Sequence, residues 1–278
     1  MPESAVKFDL DKQLFSQLKK VDTLHHHKVV KSNALIQKSR YDLSLLEQKV
    51  ILYLISKIKP GDEDFLERIF EISEFCHACG IDYTSGANYS YIKQTLKKLR
   101  DQSIWVTLED GSETTLAWID KVTVSKNSGT IRIRIDDMMK PFLLQLRERF
   151  TQYELMYTLA MKSQYSIRLY ELLKSYEYLH KHDFAIMDLK HALNIENIKS
   201  YARFPDFKRN ILDIALREIN DLTDIRVSYT IIKSGRKYAA LSFSIQTKTD
   251  VMERLTAWSN IEKVLNPRQT SMFDLPDV

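Results

Sequence analysis

Apolar residues along this chain fall into two periods, and their order predicts the architecture. Leu45, Leu46, Val50, Leu52, Tyr53 and Ile55 recur at helical spacing across Ser44–Lys57, and Pro60-Gly61 ends that segment. A short helix is predicted from Ser73, an N-cap residue, to Cys79, with Gly80 suited to the left-handed C-terminal position. A longer helix follows over Asn88–Asp101. Strands are then expected at Trp105–Leu108, Glu113–Val124 and Thr130–Ile135, turning at Asp110-Gly111 and at Asn127-Ser128-Gly129. In the last strand Ile131, Ile133 and Ile135 alternate with Arg132 and Arg134, which places both arginines on one outer face. Residues 138–178 read as mostly helical, broken near Pro141 and again at Lys162-Ser163. Beyond them come a short helix at Asp188–Leu193 and a long one at Asp206–Leu222, introduced by Pro205. Strands at Arg226–Lys233 and Tyr238–Ile245 close the series around a basic tip, Ser234-Gly235-Arg236-Lys237.

The second half repeats the first. Ile72, Phe75, His77, Ala78 and Ile81 correspond at a constant offset to Ile186, Leu189, His191, Ala192 and Ile195. Upstream, Val50, Leu52 and Tyr53 match Ile167, Leu169 and Tyr170. Downstream, Tyr91, Leu96 and Leu99 match Ile211, Leu216 and Ile219, and Ile104-Trp105-Val106 meets Ile225-Arg226-Val227. Helix, short helix, long helix and hairpin, twice over, predict an α+β chain of tandem winged-helix domains related by internal duplication. The expected divisions are an N-terminal arm over 1–27, a first domain over 28–145, a second over 146–248, and a C-terminal helix and tail over 249–278.

With 278 residues and 44% hydrophobic composition the chain can fill two cores. The net charge is +4, and the tail from Asp250 carries five acids against three bases, so the excess of positive charge lies earlier. Lys28–Arg40 alone holds four bases and no acid. Acids near the N-terminus argue against a signal peptide, and Val50–Ile55 is too short an apolar run to span a bilayer. A cytoplasmic protein without a membrane partner is expected. The arm is expected to be partly helical around Asp11–Lys20. Cys76 and Cys79 form a lone pair without a second zinc-ligand cluster and read as half-buried core thiols.

A helix paired with a basic hairpin fits a DNA major groove and the phosphates beside it. On the second long helix Phe207, Ile211, Ile214, Ala215, Leu216 and Ile219 supply the core face, leaving Lys208, Arg209, Asp213 and Arg217 outside. Arg209 is the first candidate for reading a base edge. Lys199, Tyr201 and Arg203 precede the helix in a loop suited to phosphate, and Lys233, Arg236 and Lys237 occupy the hairpin. The first module offers a thinner face: Asn88, Ser90, Lys93, Lys97 and Arg100, then Lys126 and Asn127 at a hairpin tip. Its additional strands suit a protein–protein surface.

Two other functions compete. A transcriptional regulator needs the same contacts. A rolling-circle nicking enzyme would need a tyrosine and histidine-held metal, which brings in His25-His26-His27 and the 14 tyrosines. Those histidines sit in a polar arm, His180 and His182 read as solvated turn residues, and neither HExxH nor GxxxxGK[ST] occurs. The reading is therefore no enzyme, no metal and no cofactor.

Four segments carry a specific likeness: KVVKSNALIQKSRYDLSLLEQKVILYLISKI, YSIRLYELLKSY, FPDFKRNILDIALREINDLTDIRVSY and SGRKYAALSFSI. Over residues 28–246 they resemble the initiator Rep superfamily of bacterial plasmids. The resemblance implies a protein that binds repeated origin sequences, called iterons, as a monomer and opens the origin. It further implies a dimer, formed through the first module, that represses its own promoter. By the same likeness the second module, with Arg203, Lys208, Arg209 and Arg236-Lys237, makes the main sequence-reading contact. Host replication proteins such as the sliding clamp and helicase would be partners. Val251, Leu255, Trp258 and Ile261 lie at helical spacing before Pro267, and Gln269-Thr270-Ser271-Met272-Phe273 resembles a clamp-binding peptide. In it Gln269 would orient the peptide while Met272 and Phe273, extended by Leu275, fill an apolar pocket.

Overall fold

Two helices that are buried on almost every side, Leu45–Ile55 (α2) and Gln164–Ser175 (α7), sit at the centre of the molecule, and the rest of the chain is layered on them. The computed structural model describes residues 27–79 and 87–265. The expected arm helix, Gly80 and the Gln269–Phe273 peptide lie outside the described residues. Helix α2 starts where the sequence demands. Ser44 accepts from the Glu47 backbone N–H, and Glu47 returns a carboxylate oxygen to the Ser44 N–H at 2.8 Å, a reciprocal capping box.

The chain enters as Lys28–Ser32 (β1), Asn33–Gln37 (α1) and Ser39–Arg40 (β2). After α2 the first module runs through Arg68–Glu71 (β3), Ile72–Cys79 (α3), Ala87–Asp101 (α4), Ser103–Thr107 (β4), Glu113–Ala117 (β5), Ile119–Ser125 (β6) and Thr130–Ile135 (β7). A 3-10 turn at Asp137–Met139, a short helix Lys140–Leu143 (α5), Phe150–Glu154 (β8) and Leu155–Ala160 (α6) lead into α7. The second module continues with Lys181–Ala185 (β9), Ile186–Ala192 (α8), Phe204–Phe207 (α9), a π turn at Lys208–Leu212, Asp213–Leu222 (α10), Ile225–Ser234 (β10) and Lys237–Thr247 (β11). Val251–Leu265 (α11) follows, packed on α10 and α6.

The duplication is visible in the sheets. In each module a strand runs directly into the short helix and pairs antiparallel with the second strand of the hairpin, β3 with β7 and β9 with β11. The aligned triplets are also equivalent in burial: Val50, Leu52 and Tyr53, like Ile167, Leu169 and Tyr170, are at most 1% exposed.

The structure corrects several expectations. The strand predicted over Glu113–Val124 is two strands, because the chain leaves the β2-β4-β5 sheet at Trp118 and enters the β3-β7-β6 sheet. The Trp118 ring, fully buried and edge-on to Tyr41 at 5.4 Å, anchors that bend. Sheet pairing also separates Ile104-Trp105-Val106 from Ile225-Arg226-Val227: β4 belongs to an inserted sheet, and β6 takes the place of β10. Lys28–Arg40, read from sequence only for its charge, forms β1, α1 and β2, with β1 paired to β8. Residues 138–178 include that strand, and Pro141 lies in the first turn of α5, where its missing N–H costs nothing. Pro205 likewise sits inside the first turn of its helix, which begins at Phe204.

Cys76 and Cys79 are fully buried, 0% and 2% exposed, and burial pushes the Cys76 thiol up to about 11, which leaves it unreactive. His180 does turn the chain at φ 56°, whereas His182 lies in β9, its ring stacked on Tyr176 at 3.7 Å, and burial lowers its pKa. In α11 the buried residues are Ala257 and Ile261, while Val251 stays exposed.

Candidate nucleic-acid interface

The second module's long helix, 204–222, is seated by Phe207, Ile211, Leu212, Ala215 and Ile219, each at most 1% exposed. Two neighbouring residues, Ile211 and Leu212, reach the core together because the π turn inserts one residue. Ile214 and Leu216, expected in that face, are only half-buried. The turn also aligns residues five apart, so that the Lys208 Nζ donates to Asp213 at 2.7 Å and is held above its usual pKa by that bond. Arg209 donates to Asp206 at 3.2 Å, and Arg203 approaches the same carboxylate at 3.8 Å, both with side chains at least three-quarters exposed. Exposed pairs of this kind are weak and exchange readily for phosphate or base oxygens. Arg217 is exposed two turns further along the helix.

The loop before this helix is held from beneath. Lys190, on α8, is 4% exposed, donates from Nζ to the Ala202 carbonyl at 2.9 Å, and lies 5.4 Å from the Phe207 ring centroid. Burial lowers its pKa. Tyr201 packs edge-on to Tyr165 at 6.0 Å, which leaves Lys199 and Arg203 pointing to solvent on either side of it.

The hairpin is tied to the same end of the helix. Tyr238 of β11 stacks on Phe204 at 4.4 Å and 28°, and the Lys233 ammonium sits 5.5 Å from the Tyr238 ring centroid. Gly235, at φ +60°, closes the turn between Ser234 and Lys237. Lys233, Arg236 and Lys237 are exposed. One aromatic stack therefore joins the hairpin cations to the helix start that carries Arg203, Lys208 and Arg209.

The first module repeats the plan with different charge placement. The Tyr89 hydroxyl donates to the Val124 carbonyl at 3.4 Å, tying the start of α4 to the hairpin strand β6. Lys93, Lys97 and Arg100 are exposed along the middle and end of α4, and Lys97 and Arg100 both approach Asp101, at 2.5 and 3.6 Å. Lys126 and Asn127 are exposed at the hairpin tip. The side chain of Asn88 lies outside the described residues, and Ser90 is exposed. Arg134, paired in sequence with Arg132, is not a free cation: it bonds Asp120 at 3.1 Å and Asp137 at 2.8 Å.

Three residues that support this face escaped the sequence reading. They are Lys190 under the loop, Tyr238 beneath the hairpin, and Asn220, whose side chain brackets Val227 with bonds of 2.9 and 2.7 Å and so locks β10 to the helix. A lysine inside an apolar helix face and an aromatic next to a basic tip were the available signals. Among the described residues no group of three His, Cys, Asp or Glu could hold a metal ion, and no helix is long and apolar enough to cross a membrane.

A strand, a short helix, a long helix and a hairpin, twice in one chain, define a tandem winged-helix protein. The chain belongs to the initiator Rep family: its first winged-helix domain, described as Initiator Replication protein, WH1, matches residues 28–174, and Initiator Rep protein, WH2, matches residues 185–245. It is 31% identical over 150 residues to the PI protein of Escherichia coli, a stretch covering 48% of each chain, so the match spans about half of that relative. The fold resembles the crystal structure of the Pi initiator protein in complex with iteron DNA, with a TM-score of 0.62 at 22% identity, covering 81% of this chain and 99% of that one.

Proposed function

We propose that this protein is a plasmid replication initiator that binds repeated origin sequences and helps to open the origin. The observation that carries this reading is the Phe204–Tyr238 stack, which gathers helix-start and hairpin cations at one end of the second module. Family membership and the likeness to an initiator solved with iteron DNA support it. Arg209 is assigned to a base edge, with Lys208 beside it. Lys199, Tyr201, Arg203, Arg217, Lys233, Arg236 and Lys237 are assigned to the flanking backbone. In the first module Lys93, Lys97, Arg100 and Lys126 make a second, weaker contact. The protein acts by binding, without bond-making chemistry, in the cytoplasm. As a dimer it represses its own promoter, and it recruits host replication proteins, the sliding clamp through Gln269, Met272 and Phe273. A footprint of the full chain on DNA flanking its gene tests the reading. Tandem protected repeats are expected, and a single inverted repeat alone would reduce the protein to a regulator.

A further inference from the structure

The first module carries an open groove of about 600 Å³ between the end of α2 and the strands β1 and β3. Arg68, Ile69 and Phe70 all line it. Neighbouring residues of a strand point to opposite faces, so three in a row form one wall when the strand stands edge-on. β3 is the terminal strand of the β3-β7-β6 sheet, and this edge has no partner strand among the described residues. The Ile72 N–H donates to the Gly129 carbonyl at 2.8 Å, in line with the β3–β7 register. Antiparallel alternation therefore turns the Phe70 N–H and C=O toward β7, and those of Ile69 and Glu71 outward to the open edge.

The groove beside this edge is apolar and cationic. Val30 and Ile58 are half-buried in it, and Ile69 is 65% exposed. Lys28 and Lys59 are exposed, while the Lys57 ammonium lies 3.2 Å from His27 Nε2 and 4.7 Å from the Tyr53 ring centroid. None of these three lysines has an ion pair among the described residues. Arg68 is held by Asp62 at 2.9 Å, and Glu74 is the carboxylate on the wall. An open backbone edge next to apolar side chains and surplus positive charge suits an extended segment in which apolar and acidic residues alternate.

The chain itself has such a segment, joined to the groove. Residues 1–26 run into His27, which lines it. Phe8-Asp9-Leu10-Asp11 alternates strictly, and residues 12–26 can span up to about 50 Å, enough to fold back. We propose that Phe8–Asp11 adds to the β3 edge as a further strand. Its backbone bonds Ile69 and Glu71, Phe8 and Leu10 lie against the apolar lining, and Asp9 and Asp11 face the lysines. The arm thereby closes an edge that would otherwise offer itself to another chain.

Amide hydrogen exchange of the full chain, read by NMR, tests this. The Ile69 and Glu71 amides should be protected in wild type and exchange at least about tenfold faster in Phe8→Ser with Leu10→Ser. Asp9→Lys with Asp11→Lys should expose them likewise, and adding Lys28→Glu with Lys59→Glu should restore protection. The Phe70 amide, bonded to β7, should stay protected throughout, which separates undocking from unfolding. Free exchange at Ile69 and Glu71 in wild type would overturn the proposal, as would protection that survives both arm variants. Protection that grows with protein concentration would give the edge to a second copy. Loss confined to Phe273→Ser with Leu275→Ser, where Phe273-Asp274-Leu275 repeats the pattern, would give it to the tail; either result overturns the assignment to the arm.

Discussion

The two modules share a plan and use their positive charge differently. In the first, Lys31, Arg40, Arg68, Lys98, Arg134 and Lys140 are bound to Glu171, Glu113, Asp62, Glu47, Asp120 and Asp64, so its cations hold strands, helices and the junction together. In the second, Arg203 and Arg209 remain mostly exposed at a helix start, with Lys233, Arg236 and Lys237 exposed on a hairpin stacked against it. A duplicated fold thus separates into a structural copy and a presenting copy. Counting basic residues would miss this, because what differs is how far each paired cation is exposed.

The largest effect should come from removing a carboxylate that holds a first-module cation. Lys31 and Glu171 are 2% and 0% exposed, 2.5 Å apart, and the Tyr153 hydroxyl donates to the same Glu171 oxygen. Glu171→Ala strips the buried Lys31 of its carboxylate partner, and should cost about 3–5 kcal/mol in chemical denaturation. A loss below about 1 kcal/mol, the scale of an exposed pair, would deny the structural role. Replacing Arg236 and Lys237 together by Ala should leave stability unchanged. The salt dependence of DNA binding should then fall by a slope of about 2, with similar losses on specific and random DNA. An unchanged slope would take the hairpin off the phosphates.

Smaller effects test how the presenting face is built. Tyr238→Ala removes the ring stacked on Phe204 and should cost about 0.5–1.5 kcal/mol of stability. It should also weaken DNA binding although no charge is lost, and unaltered affinity would show that the hairpin needs no such anchor. His182 gives the smallest signal. Burial lowers its pKa below the ordinary 6.5, so the unfolded chain binds the proton more readily. Stability contributed by this site is intact above about pH 6.5 and is lost as pH falls from there toward the lowered folded value. His182→Phe, which retains a ring against Tyr176, should flatten that part of the stability–pH curve. A curve of the same shape would place the titration elsewhere.

Much of the fold could be read from the chain because its long helices carry clear periodicity and its hairpins carry glycine turns at Gly111, Gly129 and Gly235. The strands β3 and β9 could not. Each offers a single buried residue, Phe70 or Phe184, too little for alternation to show, and each finds its partner through a hairpin far along the chain. The strand change at Trp118 has no glycine or proline to announce it; burial of a large ring fixes it instead. At the candidate site the exposed cations were legible as a pattern, whereas the π turn beneath Lys208 and the carboxylates that engage Arg134 and Lys31 emerge only when distant segments are brought together.

The division between a presenting and a structural copy is tested most directly by titrating wild type, Arg209→Ala and Lys97→Ala against an origin repeat and a scrambled duplex at one salt concentration. Arg209→Ala should lose about 1–3 kcal/mol on the repeat and much less on the scrambled DNA, while Lys97→Ala loses little and equally on both. Sequence-dependent loss from Lys97→Ala, with Arg209→Ala indifferent to sequence, would place the reading head in the first module and contradict the account.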